Sequence, residues 1–272
     1  MLATVIPSSL LMQIDFLRLG RFIKNIDKPN DEYCDPQTSD ALKVIFKDFS
    51  TNTNQDSAKI DFGSGLSSLF SERLSRQLQS QIEVAPERGV SYELEDSDAW
   101  FDKVVSLPDT REWIENAALS GDRVYFIVGV QTLDETRIAQ KATRKEHLGN
   151  ETNLSVAAVA AVMPFAELVD VPTQGEQRNL GSDEIWIKAP SQQACSIRCR
   201  EVKVRRLSSQ PTEPPQPSNT RRWVRKREGK SEEHAEDDGN EDLIEVDIQD
   251  VLELSGKWDT RDFTEGTIYL QS

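Results

Sequence analysis

The apolar and polar positions of this chain fall into short blocks. The block at Val124 to Val128, inside GDRVYFIVGV, holds five apolar residues, mostly β-branched or aromatic, behind the turn pair Gly121-Asp122. Its length and composition predict a buried strand. Just upstream, Trp100, Phe101, Val104, Trp113 and Ile114 recur at helical spacing. They predict two consecutive helices, DAWFDKVV and TREWIENAAL, separated at Pro108, with Ser97 or Asp98 capping the first and Asp109 the second. Phe62, Leu66, Leu69, Phe70, Leu74 and Leu78 form another helical stripe, read as a helix over 67–81, with Gly63 and Gly65 as a hinge or turn before it. Residues 82–94 predict two short strands around Pro86 to Gly89, and 41–49 predict one more.

The second half of the chain is richer in strand signals. EIWIK, 184–188, alternates strictly, and 194–206 is the clearest long strand. There Cys195, Ile197 and Cys199 are expected on one face and Arg198 and Arg200 on the other. The alternation slips near Glu201, and a bulge accounts for such a slip. Residues 243–254 read as a strand running into a short helix, and FTEGTIYL as a strand after a Glu-Gly turn. VAAVAAV, before Met163, fits a buried helix by spacing and a strand by its valine content. The N-terminal stretch 10–26 places Arg18, Arg21 and Lys24 three residues apart, on one stripe if helical; a strand also fits, and Gly20 weakens the helix.

Charge changes this picture. The formal net charge is −15. That disfavours a nucleic-acid partner, which needs basic surface to displace counterions. Over half of the excess lies in residues 208–272, with 8 basic against 16 acidic side chains. Within that part, a proline-rich stretch (208–220), a basic block from Arg221 to Arg227 and an acidic run to Asp242 predict a linker or charged insertion. The expected organisation is therefore a domain over 1–207, a linker or insertion over 208–242, and a segment over 243–272 that packs back on the domain. Three cysteines, Cys34, Cys195 and Cys199, read as reduced thiols of an intracellular protein. The apolar start lacks a basic leader and is broken by Pro7, so no signal peptide is expected. No run reaches the ~18 apolar residues of a spanning helix, which leaves spanning strands open.

Catalytic chemistry finds little support. The two histidines, His147 and His234, sit in polar sequence, and no nucleophile, metal or phosphate-loop spacing surrounds them. Catalytic, cofactor and metal residues are all expected to be none, and the chain is read as a non-enzyme. The basic residues are the remaining candidates. Arg18, Arg21 and Lys24, with Arg198, Arg200, Lys203, Arg205 and Arg206, could meet anionic lipid headgroups, each contributing about 1 kcal/mol at a membrane surface. Snorkelling or intramolecular charge balance explains the same residues.

SYELEDSDAWFDKV, then TREWIENAAL, then GDRVYFIVGVQTLDETRI resembles the middle of a gasdermin pore-forming domain. EIWIKAPSQQACSIRCREVKV is similar to that family's second membrane hairpin, with Ala189-Pro190-Ser191 at its turn. The resemblance spans roughly residues 90–207. It is closer to compact fungal gasdermins than to animal members, whose helical repressor domain has no counterpart here; Gly129 stands where a glutamate is common, and the chain is acidic.

What the resemblance implies is an α+β fold, a twisted antiparallel sheet with packed helices. Two segments, about 58–94 and 138–204, would refold into long β-hairpins on acidic lipids. They would build an oligomeric pore, homo-oligomeric or shared with a variant homologue, and cause regulated cell death of the allorecognition type. An activating protease, a cytoplasmic inactive form and a cell-membrane active form belong to the same expectation. The alternative is a soluble adaptor whose acidic tail recruits a basic partner.

Overall fold

The computed structural model describes residues 3–7, 12–13, 17–49, 62–78, 81–140, 169–170, 185–188, 192–207, 221–225, 243–251, 254, 257–263 and 266–271. The expectations for 141–168, for the turn at 189–191, for both histidines and for the proline-rich stretch lie outside these residues. The fold is α+β. Its described helices are α1 (Phe62–Leu78), α2 (Ser97–Val104) and α3 (Pro108–Ser120).

The large sheet has 12 strands and is built around β8 (Val124–Asp134). One edge of β8 pairs antiparallel with β12 (Gln193–Leu207). Its other edge is shared. β3 (Phe22–Ile23), itself joined to β4 (Tyr33–Cys34), takes Tyr125 and Phe126, and β7 (Arg88–Leu94) takes Gly129 to Asp134. β5 (Val44–Phe49) closes that side by pairing with β7. The far edge of β12 receives β2 (Met12–Gln13), β1 (Ala3–Ile6) and β14 (Leu243–Asp250) in turn. β13 (Arg222–Val224) pairs with β14. β15 (Trp258–Phe263) and β16 (Gly266–Gln271) form a hairpin whose second strand runs parallel to β1. That one parallel pair makes the sheet mixed rather than wholly antiparallel. A second sheet has the order β10 (Val169–Asp170), β11 (Ile185–Lys188), β9 (Arg137–Gln140), β6 (Ile82–Ala85).

Burial on both faces explains why β8 carries an unbroken apolar run. On one face, Phe101, Val104 and Ile114 of α2 and α3 pack on Phe22, Phe126, Val202 and Ile244. The rings of Phe22 and Phe101 stand 4.9 Å and 5.5 Å from that of Phe126. On the other face, Tyr125, Ile127 and Val130 meet Val5, Leu17, Ile197 and Cys199. A third cluster joins α1, through Leu66, Leu69, Phe70 and Leu74, to Ile82, Val84, Ile138 and Ile268. Each fully buried large side chain contributes about 1.5–3 kcal/mol relative to exposure.

Several local expectations shift. α1 begins at Phe62, so Gly63 and Gly65 are helical residues and not a hinge. Gly65 is small because the Phe263 ring lies over it; a Cβ there would stand 2.1 Å from Cε1. Asp96, not Ser97 or Asp98, caps α2, accepting from Ala99 N–H at 2.9 Å. α3 starts with Pro108 at its first turn and has no side-chain cap from Asp109; the fixed φ of proline serves there instead. Arg18, Arg21 and Lys24 do not share a helix. Gly20 turns the chain at φ 79 and β3 follows, so the strand reading of this stretch is the one realised. β14 ends at Asp250.

The phase slip in β12 also has a different cause. Register with β14 is unbroken from Arg200 to Leu207, so no bulge sits at Glu201. Ile197 and Cys199 pack on one face of the sheet and Val202 and Val204 on the other, under α2 and α3. The strand passes from one covered face to the other, and the apolar phase follows. Real irregularities lie between Ala194 and Ser196 and between Arg198 and Cys199. The first turns Cys195 away from Ile197 and Cys199, into the cluster beneath α1.

Candidate functional site

The basic residues singled out above are distributed, not pooled. Arg21 is buried (4% exposed) and forks onto both carboxylate oxygens of Asp35 at 2.7 and 2.9 Å, with its guanidinium 3.8 Å from the centre of the Tyr33 ring. Lys24 bridges Glu32 and Asp122 at 2.9 and 3.0 Å, and these two carboxylates raise its pKa. Arg198 pairs with Glu93, and Arg200 with Asp98 at 2.7 Å and with the Ile248 carbonyl at 3.2 Å. Lys203 meets Glu201 at 2.6 Å. Arg18, Arg205 and Arg206 are exposed, and Arg206 donates to the Ala118 carbonyl at 3.3 Å. The pairing Gly20 N–H to Ile127 O sets Arg18 toward the Val130 end of β8, whereas β12 carries Arg205 and Arg206 past the Val124 end. These three therefore do not come together.

A second cationic device was not visible in the sequence. Arg221 reaches Asp98 at 3.2 Å and Asp102 at 2.5 Å on α2, reaches Asp247 on β14, and lies 5.3 Å from the centre of the Phe101 ring. Next to it, Trp223 is buried and donates its indole N–H to Glu115 on α3. β13 thus ties both helices to β14. Burial pushes the Asp98 carboxyl up, but hydrogen bonds and charge from Arg200 and Arg221 outweigh it and hold the pKa below its ordinary value.

Strand edges provide the sharpest contrast in the molecule. β6 bounds the small sheet, and α1 covers its open side with serine hydroxyls. Ser71 Oγ accepts from Val84 N–H at 2.9 Å, and Ser75 Oγ accepts from Ile82 N–H at 2.8 Å and donates to Ile82 O at 3.2 Å. Among the described residues β5 has no such cover and pairs only with β7, and Val44, Ile45 and Phe46 are exposed, Phe46 by 70%. An uncovered apolar edge is a template for another strand. The only hint in the sequence was three consecutive apolar residues, 44–46, which strand alternation cannot bury on one face.

The two sheets are also one structure. β7, β8 and β12 lie side by side in the large sheet, and their chain neighbours β6, β9 and β11 lie side by side in the small one. β6 and β9 of the small sheet continue β7 and β8 past a bend at Glu87 and Glu135, and β11 precedes β12 in the chain.

Other chemistry is sparse. Burial pushes the Cys195 thiol up to about 12 and raises Cys199 further, which keeps both protonated and unreactive. A cleft of about 640 Å³ near Lys24, Asp27, Lys28, Asp122 and Trp258 mixes both signs of charge. Among the described residues no group of His, Cys, Asp and Glu could hold a metal ion, and no helix is long and apolar enough to cross a membrane.

No family model matches the sequence, and no curated protein does. Among solved structures the chain is similar to that of a bacterial gasdermin from Bradyrhizobium tropiciagri, at 15% identity over 74% of this chain and 82% of that one, with a TM-score of 0.32.

Proposed function

We propose that this protein permeabilises membranes by lengthening its central strands into β-hairpins that join those of further copies. The observation that carries the reading is the continuity of β7 and β8 into a second sheet. Strand length is already present, interrupted by a bend. The open apolar edge of β5 supports it, as does the motif resemblance drawn from the sequence. Closure into a barrel is required, since lipid offers no partner for an open edge. The activity is not enzymatic. Its consequence is regulated cell death of the allorecognition type, with the inactive form cytoplasmic and the active form at the cell membrane.

Anionic lipid would be met first by Arg18, Arg205 and Arg206. Arg21, Lys24, Arg198, Arg200 and Lys203 become available only when their carboxylates let go. The insertion between β12 and β14 then acts as a restraint through Arg221 and Trp223, and a protease or a variant partner chain would relieve it. The test is dye release from vesicles containing phosphatidylserine or cardiolipin against neutral phosphatidylcholine vesicles, with the chain intact and cut within 208–220. Release confined to acidic vesicles and increased by the cut is expected. Release from neither vesicle, before or after cutting, defeats the proposal.

A further inference from the structure

The ribbon formed by β6–β7 and β8–β9 keeps its register across the fold between the sheets. Ala85 faces Arg137 and Arg88 faces Asp134, with Pro86-Glu87 interposed on one strand and Glu135-Thr136 on the other. Equal interruptions mean that the ribbon can straighten with no slip of any pair; only backbone torsions within the break must change. The break is costly as it stands. Glu135 sits at φ 46, a left-handed conformation that a residue with a Cβ adopts at an energetic cost. Thr136 is fully buried, and its Oγ1 has no hydrogen-bond partner among the described residues. Straightening restores an extended Glu135. Holding the bend are the packing of Ile138, Ile82 and Val84 beneath α1, the Glu87 N–H to Asp134 O bond at 3.1 Å, and the Glu87–Arg137 ion pair at 2.7 Å. In a straight ribbon of this register Glu87 would face Glu135 directly, a like-charge pair that opposes straightening in water. Arg88 and Asp134, paired at 3.0 Å, are register partners at the last rung before the break and fix the register on that side of it.

We infer that Glu135-Thr136 is a strained hinge that holds the central ribbon bent and sets the threshold for its straightening. The inference rests on the strand-lengthening reading above. It gives that reading a specific residue: relieving strain at 135 or 136 should make the protein less ready to change shape, and adding strain should make it more so.

The test uses Glu135→Gly, Thr136→Val and Glu135→Val in the full chain. Glycine accepts the left-handed conformation freely, valine at 136 removes the unpaired hydroxyl at nearly constant shape, and a β-branched residue at 135 worsens the strain. Two readouts are taken: amide hydrogen exchange of β6 and β9 in the lipid-free protein, and the rate of dye release from phosphatidylserine vesicles. Glu135→Gly and Thr136→Val should each slow exchange about five-fold or more, leaving β14 and β16 unchanged, and should slow dye release in parallel. Glu135→Val should accelerate both. If it does not fold, the other two variants decide the matter. Exchange shifts of the expected sign with no release from any vesicle, by the parent protein intact or cut within 208–220, would sustain the hinge and remove the membrane reading. Glu135→Gly also removes the like-charge pair with Glu87, so Thr136→Val decides: unchanged or faster exchange in it overturns the hinge.

Discussion

At the scale of single residues the protein is organised by arginines that already have partners. Arg198, Arg200 and Arg221 each hold carboxylates from distant parts of the chain, and Arg21 holds that of Asp35. Arg221 is the most connected of them. Arg221→Ala should destabilise the fold by about 1–3 kcal/mol in urea denaturation, because Asp98, Asp102 and Asp247 lose a shared partner. The pH dependence has a definite sign. Asp98 is held below its ordinary value of 3.8, and so stabilises the fold fully above that value and progressively less as pH falls through its lowered one. The gap between parent and Arg221→Ala should therefore be full at neutral pH and should narrow in acid below 3.8. A gap that is constant from pH 7 to pH 2.5 would show that the loss is packing on Phe101 and not charge.

Among elements, α1 matters as a cover. It spends Ser71 and Ser75 on backbone groups of β6 that a neighbouring strand would otherwise satisfy. Serines inside a helix are usually unremarkable solvent-facing residues, so their positions gave no warning of this role. The double variant Ser71→Ala, Ser75→Ala should lower stability by about 1–3 kcal/mol, roughly 1 kcal/mol for each lost bond. It should also speed amide exchange at Ile82 and Val84 more than elsewhere. Equal effects across all strands would mean that the helix packs on the sheet but does not guard its edge.

For the whole molecule, charge and architecture pull in opposite directions. A net charge of −15 repels an anionic surface, while in the proposed mechanism the open β5 edge and the bent ribbon would favour assembly once contact is made. Long-range repulsion is screened within about 10 Å at 0.1 M salt. Raising salt from about 50 to 300 mM should therefore increase the rate of dye release from acidic vesicles several-fold. A steady fall with salt would show that the local attraction of Arg18, Arg205 and Arg206 for the headgroups outweighs the long-range repulsion of the whole chain.

The sequence by itself determined the central strand, the two Trp-containing helices and the long strand after residue 193. Each follows from periodicity or turn chemistry within a dozen or so neighbouring residues, and such signals survive in any tertiary setting. Only the tertiary structure decided which strand edges are covered, that the central ribbon is bent at Glu135, and that Arg21, Lys24, Arg198, Arg200 and Lys203 already hold carboxylates. The reason is physical. Arg200 and Asp98 lie 102 positions apart, and Arg221 and Asp102 lie 119 apart. Pairing across such distances depends on how the strands are ordered, which no local pattern of apolar and polar residues encodes.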